Sequence, residues 1–429
     1  MKKSVLRIAS LVMASFLTVM AMSCEKEVKT ITPTFLNPIY RTFSSYSSTR
    51  KGEADPWIYK HTDGYYYYTA TYADFDRVII RRAKSINQID SSDAAQNATV
   101  LTANSGVLAG KVYSYIWAPE LHYINGTWYL FFTGSETDAS TSGGSVWHVR
   151  SHVAKCTDAD PLTGTWELCG KVQAVTGDTF DSSSNIMRAF NLDATVFKRN
   201  GQWYYVWAQY LYDGDWADEN KTSDGILTLN GKDYINGANN NGWSSILIGK
   251  VVEGSDFTQI TNATVISIPE YEWEYGEAVY DENGNVDTYT HTSANVNVNE
   301  GPAILQRNGK IFIVYSASAC DESYCLGMLT ADENADFCDM STWKKSEEPV
   351  FTTSVGRSVY GPGHCSFTTY NGWDVIVYHA RPYPSLYSYI GRTSNYTATT
   401  DGLSDPYRSG RAKVFTWNAD GTPNFGEAE

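Results

Sequence analysis

Four ionisable side chains stand at nearly the same distance before a glycine-containing turn signal in this 429-residue sequence. Asp193 and His364 lie eight residues before the glycine of an Asn-Gly dipeptide, whereas Asp55 and Glu300 lie nine residues before their turn glycine. Any one acid could merely bind water or cap a backbone group, but three in one register favour a shared role. Burying them together costs free energy, since like charges and desolvation both oppose ionisation. Folds tolerate that cost where chemistry requires it, so these residues are the candidate catalytic set.

The turn signals themselves recur five times along the chain. Each is an Asn-Gly or Asp-Gly dipeptide followed by an alternating aromatic or aliphatic strand, the pattern of a two-residue β-hairpin turn. The copies are Asp63-Gly64, Asn125-Gly126, Asn200-Gly201, Asn308-Gly309 and Asn371-Gly372. Five similar sheets arranged in a ring, as in a β-propeller, leave only short and protected sheet edges. We therefore predict an all-β, five-bladed β-propeller, with extra material between the third and fourth hairpins.

A propeller would also explain why the four ionisable side chains share a register. The first strand of each blade lines the central channel, so residues at matching positions converge at one end of it. Blade two departs from the pattern, because the register falls there on Trp117 or Ala118. Its acid, Glu120, lies closer to the turn.

The composition excludes some partners and suits others. Aromatic residues make up 14% of the chain and charged residues 19%, and sugar faces stack well on Tyr and Trp. The formal net charge is −15, or about −18 once the three basic residues of the N-terminal leader are removed. Such acidity argues against nucleic acid and against direct binding to an anionic membrane surface. We expect a monomer.

The N-terminus resembles a bacterial lipoprotein signal. A basic start precedes an apolar run from Ile8 to Met22, and small residues lead to Cys24, which would become the lipidated first residue. An ordinary cleaved signal peptide with an incidental cysteine is the alternative. We predict a signal over 1–23, a tether over 24–35 and the propeller over 36–429. The protein would then be anchored by lipid in the bacterial cell envelope, at the outer membrane, either periplasmic or surface-exposed.

Six cysteines follow Cys24, and export to an oxidising compartment would allow pairing. Cys156 and Cys169 flank a short turn, as do Cys320 and Cys325. Either pair could form a disulfide, and the sequence leaves both open.

Several stretches, taken in order, resemble glycoside hydrolase family 43, a family of five-bladed propellers that act on arabinose- and xylose-containing glycans. The resemblance covers about residues 36 to 420. The matching stretches are Ala54-Asp55-Pro56-Trp57, Trp117-Ala118-Pro119-Glu120-Leu121-His122, Leu192-Asp193-Ala194-Thr195, Asn299-Glu300-Gly301-Pro302 and Tyr360-Gly361-Pro362-Gly363-His364.

The resemblance implies a role for each acid. Asp55 would be the general base that activates water, Glu300 the general acid, and Asp193 the residue that orients the acid and raises its pKa. Glycoside hydrolysis does need one protonated and one ionised carboxyl group beside the scissile bond. The family inverts configuration, which predicts about 6.5–9.5 Å between base and acid.

Four further residues are candidates for binding. His364 would lie near the central axis, where it could help hold a structural Ca²⁺ ion or its waters; alternatively it is a hydrogen-bonded histidine that supports the acid or touches the sugar. The chemistry itself requires no cofactor. Arg381 could bind a sugar hydroxyl or form a structural salt bridge. Trp57 and Trp117 are candidate stacking surfaces, with plain packing as the alternative.

The whole pattern is most similar to the exo-acting α-L-arabinofuranosidase branch of the family. The similarity includes Pro269-Glu270-Tyr271-Glu272-Trp273-Glu274, Ser316-Ala317-Ser318 and Tyr324-Cys325-Leu326-Gly327. Alternatives are an endo-arabinanase or β-xylosidase with the same acids, a retaining fructan-cleaving propeller, and a sugar-binding propeller without catalysis. Two long polar stretches, Tyr210 to Trp243 and Glu274 to Val298, could rim the mouth of the site.

Overall fold

The computed structural model describes residues 31–40, 53–137, 148–175, 190–213, 226–229, 232–236, 243–281, 286–290, 297–384, 405 and 407–429. The predicted leader, the lipidation site Cys24 and most of the tether lie outside these ranges, as do parts of both polar stretches. All the strands belong to one compact unit, Pro33–Glu429. Among the described residues, no helix is long and apolar enough to cross a membrane.

Five sheets each form one blade of a β-propeller. Blade one contains β1 (Ala54–Lys60), β2 (Tyr66–Thr71), β3 (Arg77–Ala83) and β4 (Gln96–Thr102). Blade two contains β5 (Ser114–Ile124), β6 (Thr127–Ser135), β7 (Val149–Cys156) and β8 (Glu167–Lys171). Blade three contains β9 (Gln173–Ala174), β10 (Asn191–Arg199), β11 (Gln202–Asp213), β12 (Ile226–Leu229), β13 (Lys232–Asn236), β14 (Trp243–Val251) and β15 (Gln259–Ser267). The strands of the five sheets pair antiparallel except for β9, which pairs parallel with β15.

The predicted extra material between the third and fourth hairpins includes a separate hairpin of β16 (Glu277–Tyr280) and β17 (Val286–Thr290). Blade four follows with β18 (Asn299–Arg307), β19 (Lys310–Ala317), β20 (Cys325–Asp332) and β21 (Lys344–Lys345). Blade five contains β22 (Tyr360–Tyr370), β23 (Trp373–Arg381) and β24 (Ser409–Val414), and β25 (Thr416–Trp417) pairs with β26 (Pro423–Asn424). The described helices are short 3₁₀ turns at Ile86–Gln88, Gly106–Leu108, Glu272–Glu274, Met340–Thr342 and Val355–Arg357.

The blades close into a ring around the first strands. Contacts run from β1 to β5, then to β10, β18 and β22, and from β22 back to β1. Five clusters of buried apolar side chains hold neighbouring blades together, and fully buried aromatic residues such as Trp128, Trp207 and Tyr378 lie within them. The fold is therefore the predicted five-bladed propeller.

An N-terminal segment lies along the last blade. The backbone N–H of Ile39 donates to Gly410 O at 2.9 Å. The Asn37 side chain bonds both the backbone O and the N–H of Ala412 on β24. These bonds cover the edge of β24, which would otherwise expose unpaired backbone groups.

Four of the five predicted turns are two-residue turns with both residues at positive φ. Asn125, Asn200, Asn308 and Asn371 have φ between 49° and 55°, and the glycine after each lies between 76° and 88°. The first turn differs from the prediction, because β1 ends at Lys60 and β2 begins only at Tyr66. This longer loop places Asp55 one residue further from its glycine than Asp193 is.

A β-bulge interrupts the first strand of every blade, and one residue of each bulge has a left-handed backbone. These residues are Asp55, Ala118, Asp193, Gly301 and His364, with φ between 42° and 57°. In blades two to five the left-handed residue stands eight positions before the turn glycine. Glu300 is therefore one residue before the bulge position that the other three candidates occupy.

The six cysteines of the described residues are free thiols. Cys156 packs into the apolar cluster between blades one and two, whereas Cys169 packs against the cluster between blades two and three. Cys325 is likewise buried beside Trp273, while Cys320 lies beside Glu300. The members of each candidate pair thus face different surroundings.

Candidate active site

The bulges bring Asp55, Asp193, Glu300 and His364 together at one end of the channel. A left-handed backbone costs a non-glycine residue about 1–2 kcal/mol. Asp55, Asp193 and His364 all bear that cost, and such strain clusters at functional sites. The proline after Asp55, like the one after Gly301, occupies a bulge position where the ladder needs no N–H donor.

A repeated bond between blades fixes these bulges. A side chain near the end of the second strand accepts the N–H of the left-handed residue in the next blade. The bonds are Ala118 N to Thr71 Oγ1 at 2.7 Å, Asp193 N to Thr133 Oγ1 at 3.2 Å, His364 N to Ser316 Oγ at 2.7 Å and Asp55 N to His379 Nδ1 at 3.1 Å. Each acceptor stands seven residues after its turn glycine, a spacing that is visible in the sequence.

Blade three breaks this pattern in a way that serves Asp193. The seventh residue after its turn glycine is Ala208, which has no side-chain acceptor. The N–H of Gly301 instead donates to Asp193 Oδ2 at 3.1 Å. The backbone of blade four therefore orients the carboxyl group of Asp193.

Asp55 is held in its ionised form. Burial alone would raise its pKa, but the charge and the hydrogen bond of His364, whose Nδ1 lies 3.1 Å from Oδ1, hold the pKa of Asp55 well below its usual range. Thr71 Oγ1 also donates to Asp55 Oδ2 at 2.5 Å. An ionised carboxyl group with fixed orientation can accept a proton from water.

The two histidines of the site differ in charge. Burial lowers the pKa of His364, but Asp55 and Asp193 outweigh burial and raise it to about 9, so its ring is cationic at neutral pH. Burial, and then the nearby Arg408, lower the pKa of His379 to about 3. A neutral His379 agrees with its role as acceptor of the Asp55 N–H.

The pKa values of Asp193 and Glu300 are both raised by burial. Burial raises the pKa of Asp193 well above its usual range, and the negative charge of Glu300 adds to the rise while His364 opposes it. Burial also raises the pKa of Glu300, against a hydrogen bond from Tyr324 Oη to Oε1 at 2.7 Å. Cys320 Sγ lies 3.9 Å from the same oxygen, and burial raises the pKa of its thiol to about 12.

Sequence reasoning missed Arg408, which is buried beside the acids. Its own burial lowers the pKa of its guanidinium, but the charge of Asp55 and other neighbours raise it above the usual value. Its positive charge in turn lowers the pKa of both Asp55 and Glu300. Arg408 stands just before β24 and belongs to no repeated spacing, so the sequence offers no signal for it.

The structure places the two tryptophan candidates within aromatic packing. The indole N–H of Trp57 donates to Leu121 O at 2.8 Å, and its ring lies 4.6 Å from the ring of His122. Trp117 is only 7% exposed and contacts Phe75 edge to face at 5.6 Å. Its indole N–H has no partner among the described residues.

Arg381 supports the loop that carries Cys320 and Tyr324. Its Nε lies 2.9 Å from Asp405 Oδ2, and its Nη2 donates to the backbone O of Cys320 at 2.6 Å. Tyr383 donates its hydroxyl to the same Asp405. Arg381 therefore contacts the site through Cys320, and Tyr324, which stacks on His379, touches the acid directly.

The described residues do not form a direct ligand set for a metal ion. No group of three or more His, Cys, Asp or Glu side chains among them is arranged to hold one. His364 Nδ1 lies 3.1 Å from Asp55 Oδ1, which leaves only Nε2 of this ring for a metal ion or its waters. The Ca²⁺ implied by the resemblance stays a prediction, and no chemical step below passes through a metal.

Comparison with known proteins finds one matching family model and similar proteins of known name. A family model described as Glycosyl hydrolases family 43 matches residues 49–224 and 268–423. An extracellular exo-α-(1→5)-L-arabinofuranosidase of Streptomyces avermitilis is 35% identical over 395 residues, covering 92% of this chain and 63% of that protein. An α-L-arabinofuranosidase 43 of Humicola insolens is 36% identical, covering 87% of this chain and 61% of that protein. The chain thus spans less than two thirds of the length of these relatives.

A solved structure supports the same grouping. The crystal structure of an α-L-arabinofuranosidase from Lactobacillus brevis matches with a TM-score of 0.66 and 33% sequence identity. The match covers 92% of this chain and 97% of that one.

Proposed function

The chain belongs to glycoside hydrolase family 43, and on that premise we propose that it is an inverting exo-α-L-arabinofuranosidase acting on arabinan or arabinoxylan-type plant glycans. The observation that carries the proposal is the convergence of three acids at one end of the channel. His364 Nδ1 lies 3.1 Å from Asp55 Oδ1 and 3.9 Å from Asp193 Oδ2, and the N–H of Gly301, the residue after Glu300, donates to Asp193 Oδ2. Asp55 is held ionised, while burial raises the pKa of Glu300. Carboxyl groups whose surroundings push their pKa values apart are suited to act as base and acid at one pH.

Asp55 is the proposed general base. It would remove a proton from a water molecule that attacks the anomeric carbon from the face opposite the leaving group. The bonds from Thr71 and His364 fix both of its oxygens, so little reorganisation is needed. Room for that water requires about 6.5–9.5 Å between the two carboxyl groups.

Glu300 is the proposed general acid. It would transfer its proton to the glycosidic oxygen as the bond to the anomeric carbon breaks. Asp193 is the proposed modulator. Burial raises its pKa, but the Gly301 N–H and His364 Nδ1, which lie 3.1 and 3.9 Å from its Oδ2, favour its ionised form. An ionised Asp193 would raise the pKa of Glu300 and so favour the protonated acid there.

Two relatives are named for arabinofuranose release, and one of them for exo action on (1→5) linkages. These names favour terminal arabinofuranosyl groups as the substrate. Trp57, Trp117 and Arg381 keep a proposed part in sugar binding. Trp57 is partly buried, so contact with the sugar would come from its remaining exposed atoms. Arg381 is only 2% exposed, so its part would be indirect, through its bond to Cys320 O.

Product analysis tests the proposal. The protein is incubated with linear arabinan, branched arabinan and arabinoxylan, and products are separated by chromatography, with Glu300→Ala alongside. We expect free arabinose as the single product, its loss in the variant, and inversion visible by NMR in the first-formed anomer. Oligosaccharides would indicate endo action and xylose a xylosidase. No product from any polymer would contradict the proposal and favour a sugar-binding propeller.

We also propose export and lipid anchoring through Cys24. The relative from Streptomyces avermitilis is named as extracellular, which supports export. The basic start, the apolar run and the small residues before Cys24 support the anchor.

A further inference from the structure

A second buried carboxylate, outside the catalytic set, is bound to the residue that precedes Glu300. Glu274 is completely buried in the short turn Glu272–Glu274, between blades three and four. Burying a charge is costly unless it is paired and hydrogen-bonded. Its two oxygens accept six bonds: from Glu270 N (2.7 Å), Tyr271 N (2.9 Å), Tyr315 Oη (2.9 Å), Asn299 Nδ2 (2.8 Å) and both contacts of Lys345 Nζ (2.8 and 3.0 Å).

Asn299 is fixed by three separate segments through this network. Its Nδ2 donates to Glu274 Oε1, and its Oδ1 accepts the hydroxyl of Ser267 at 2.6 Å. Its backbone O accepts the hydroxyl of Ser244 at 3.0 Å. Asn299 is fully buried, so water does not compete for these bonds.

Asn299 lies directly before Glu300 on β18, so the hydrogen bonds that fix Asn299 bear on the position of Glu300. The bulge begins directly after Glu300, where the register with β19 shifts between Glu300 and Ala303. The regular ladder therefore holds Glu300 on one side only, and Asn299 is on that side. Rotation at Asn299 would swing the carboxyl group of Glu300 relative to the scissile oxygen.

We propose that Glu274 is a positioning residue that aims the general acid Glu300 through Asn299. The inference rests on the proposed function, since it needs Glu300 to be the acid. Lys345 neutralises Glu274, so the network fixes geometry without placing a further unpaired charge near the acid. A displacement of about 1 Å at a catalytic group costs up to about a hundredfold in rate.

The test uses substrates that differ in their need for an acid. An arabino-oligosaccharide has a poor leaving group that must be protonated, whereas 2-chloro-4-nitrophenyl α-L-arabinofuranoside has a good one that departs without help. In Glu274→Gln we expect kcat on the oligosaccharide to fall about tenfold to a hundredfold, with less than about threefold change on the aryl substrate. KM should change little for either substrate. Glu300→Ala should show the same selectivity, more strongly.

A second variant and a matched control keep the result interpretable if Glu274→Gln folds poorly. Tyr315→Phe removes one bond to Glu274 and leaves the ion pair, so we expect a smaller loss with the same selectivity. Asp374→Asn makes the same carboxylate-to-amide change near the turn end of blade five, where Asp374 bonds Arg307 and Trp417, and should spare both substrates.

Equal losses on both substrates in Glu274→Gln and Tyr315→Phe would overturn the inference, as would unchanged kinetics. The kinetics of the wild-type protein and of Glu300→Ala distinguish failure of this inference from failure of the proposed function. A wild-type protein that cleaves neither substrate, or a Glu300→Ala variant without selectivity, would overturn the proposed function instead.

Discussion

We expect the negative charge of Asp193 to set the upper pH limit of activity. With Glu300 as the proposed general acid, activity is lost as the pH rises through the pKa of that carboxyl group. Asp193→Asn removes a neighbouring negative charge, which lowers the pKa of Glu300. We expect the alkaline limb of the kcat/KM profile to move to lower pH by about one unit. A limb that stays in place would show that Asp193 does not control the acid.

Tyr324 should have the opposite effect on the same limb. Its hydroxyl donates to Glu300 Oε1 and thereby favours the ionised carboxylate. Tyr324→Phe keeps the ring on His379 but removes that bond, so the pKa of Glu300 should rise. We expect the alkaline limb to move to higher pH by about half a unit to one unit. Shifts of the same sign in both variants would contradict the assignment of Glu300 as the titrating acid.

The sequence predicted the acids better than their surroundings. Asp193 and His364 could be found because blades two to five repeat one spacing to a turn glycine, and Asp55 because blade one departs from that spacing by a single residue. The acceptors Thr71, Thr133, Ser316 and His379 repeat a second spacing, and it was overlooked because their residue types differ. Arg408 and Tyr324 could not be found this way. They reach the site from segments that occur once, and only the folded ring brings those segments to the axis.

Among the elements, the bulge of β18 requires a glycine for two reasons. Gly301 has φ +56°, and a Cβ there would lie 3.1 Å from the ring of His364. Gly301→Ala should therefore displace the ring that pairs with Asp55. Gly126→Ala is the matched control, since its φ is +88° and its Cβ would meet nothing within 4 Å.

Both glycine variants should lose about 1–2 kcal/mol in the free energy of unfolding, because both force alanine into a left-handed backbone. Only Gly301→Ala should also lose activity, by about tenfold or more in kcat/KM. Denaturant unfolding and steady-state kinetics on the same preparations check this. Equal activity in the two variants would show that His364 tolerates the displacement.

Blade three offers a test of the bonds between blades. Ala208→Ser would supply the acceptor that Thr133 and Ser316 supply in their blades, and it would compete with Asp193 for the N–H of Gly301. Asp193 would then be ionised less readily and would raise the pKa of Glu300 less. We expect lower kcat and an alkaline limb shifted to lower pH by less than about one unit. Ala380→Ser, at another fully buried second-strand alanine, should leave the limb in place.

The hairpin turns were predicted more accurately than the position of Glu300 relative to the bulge of its strand. Four Asn-Gly turns are two residues long, as their dipeptides indicate. Asp63-Gly64 instead lies in a five-residue loop between β1 and β2, which no local signal distinguishes. That added length made Asp55 and Glu300 look equivalent at nine residues from their glycines. Only the backbone shows that Glu300 precedes its bulge, directly after the fully buried Asn299.

For the whole molecule, the acidity of the chain and the proposed lipid anchor at Cys24 lead to separate predictions about membrane binding. A net charge of −15 repels an anionic membrane surface, so the propeller itself should not adsorb there. Cys24→Ala removes the proposed lipidation site and should move the protein from the membrane fraction to the soluble fraction. Cys338→Ala, a half-buried cysteine of the described fold, should leave it membrane-bound.

Fractionation with a high-salt wash, together with labelled fatty acid incorporation, distinguishes the possible anchors. Wild type and Cys338→Ala should carry the label and stay in the membrane fraction after the wash. Cys24→Ala should carry no label and should be absent from the washed membrane fraction. Arabinose release per molecule should be equal in all three, because the anchor lies outside the propeller. A Cys24→Ala protein that stays in the washed membrane pellet would contradict lipidation and would require a contact made by the propeller itself.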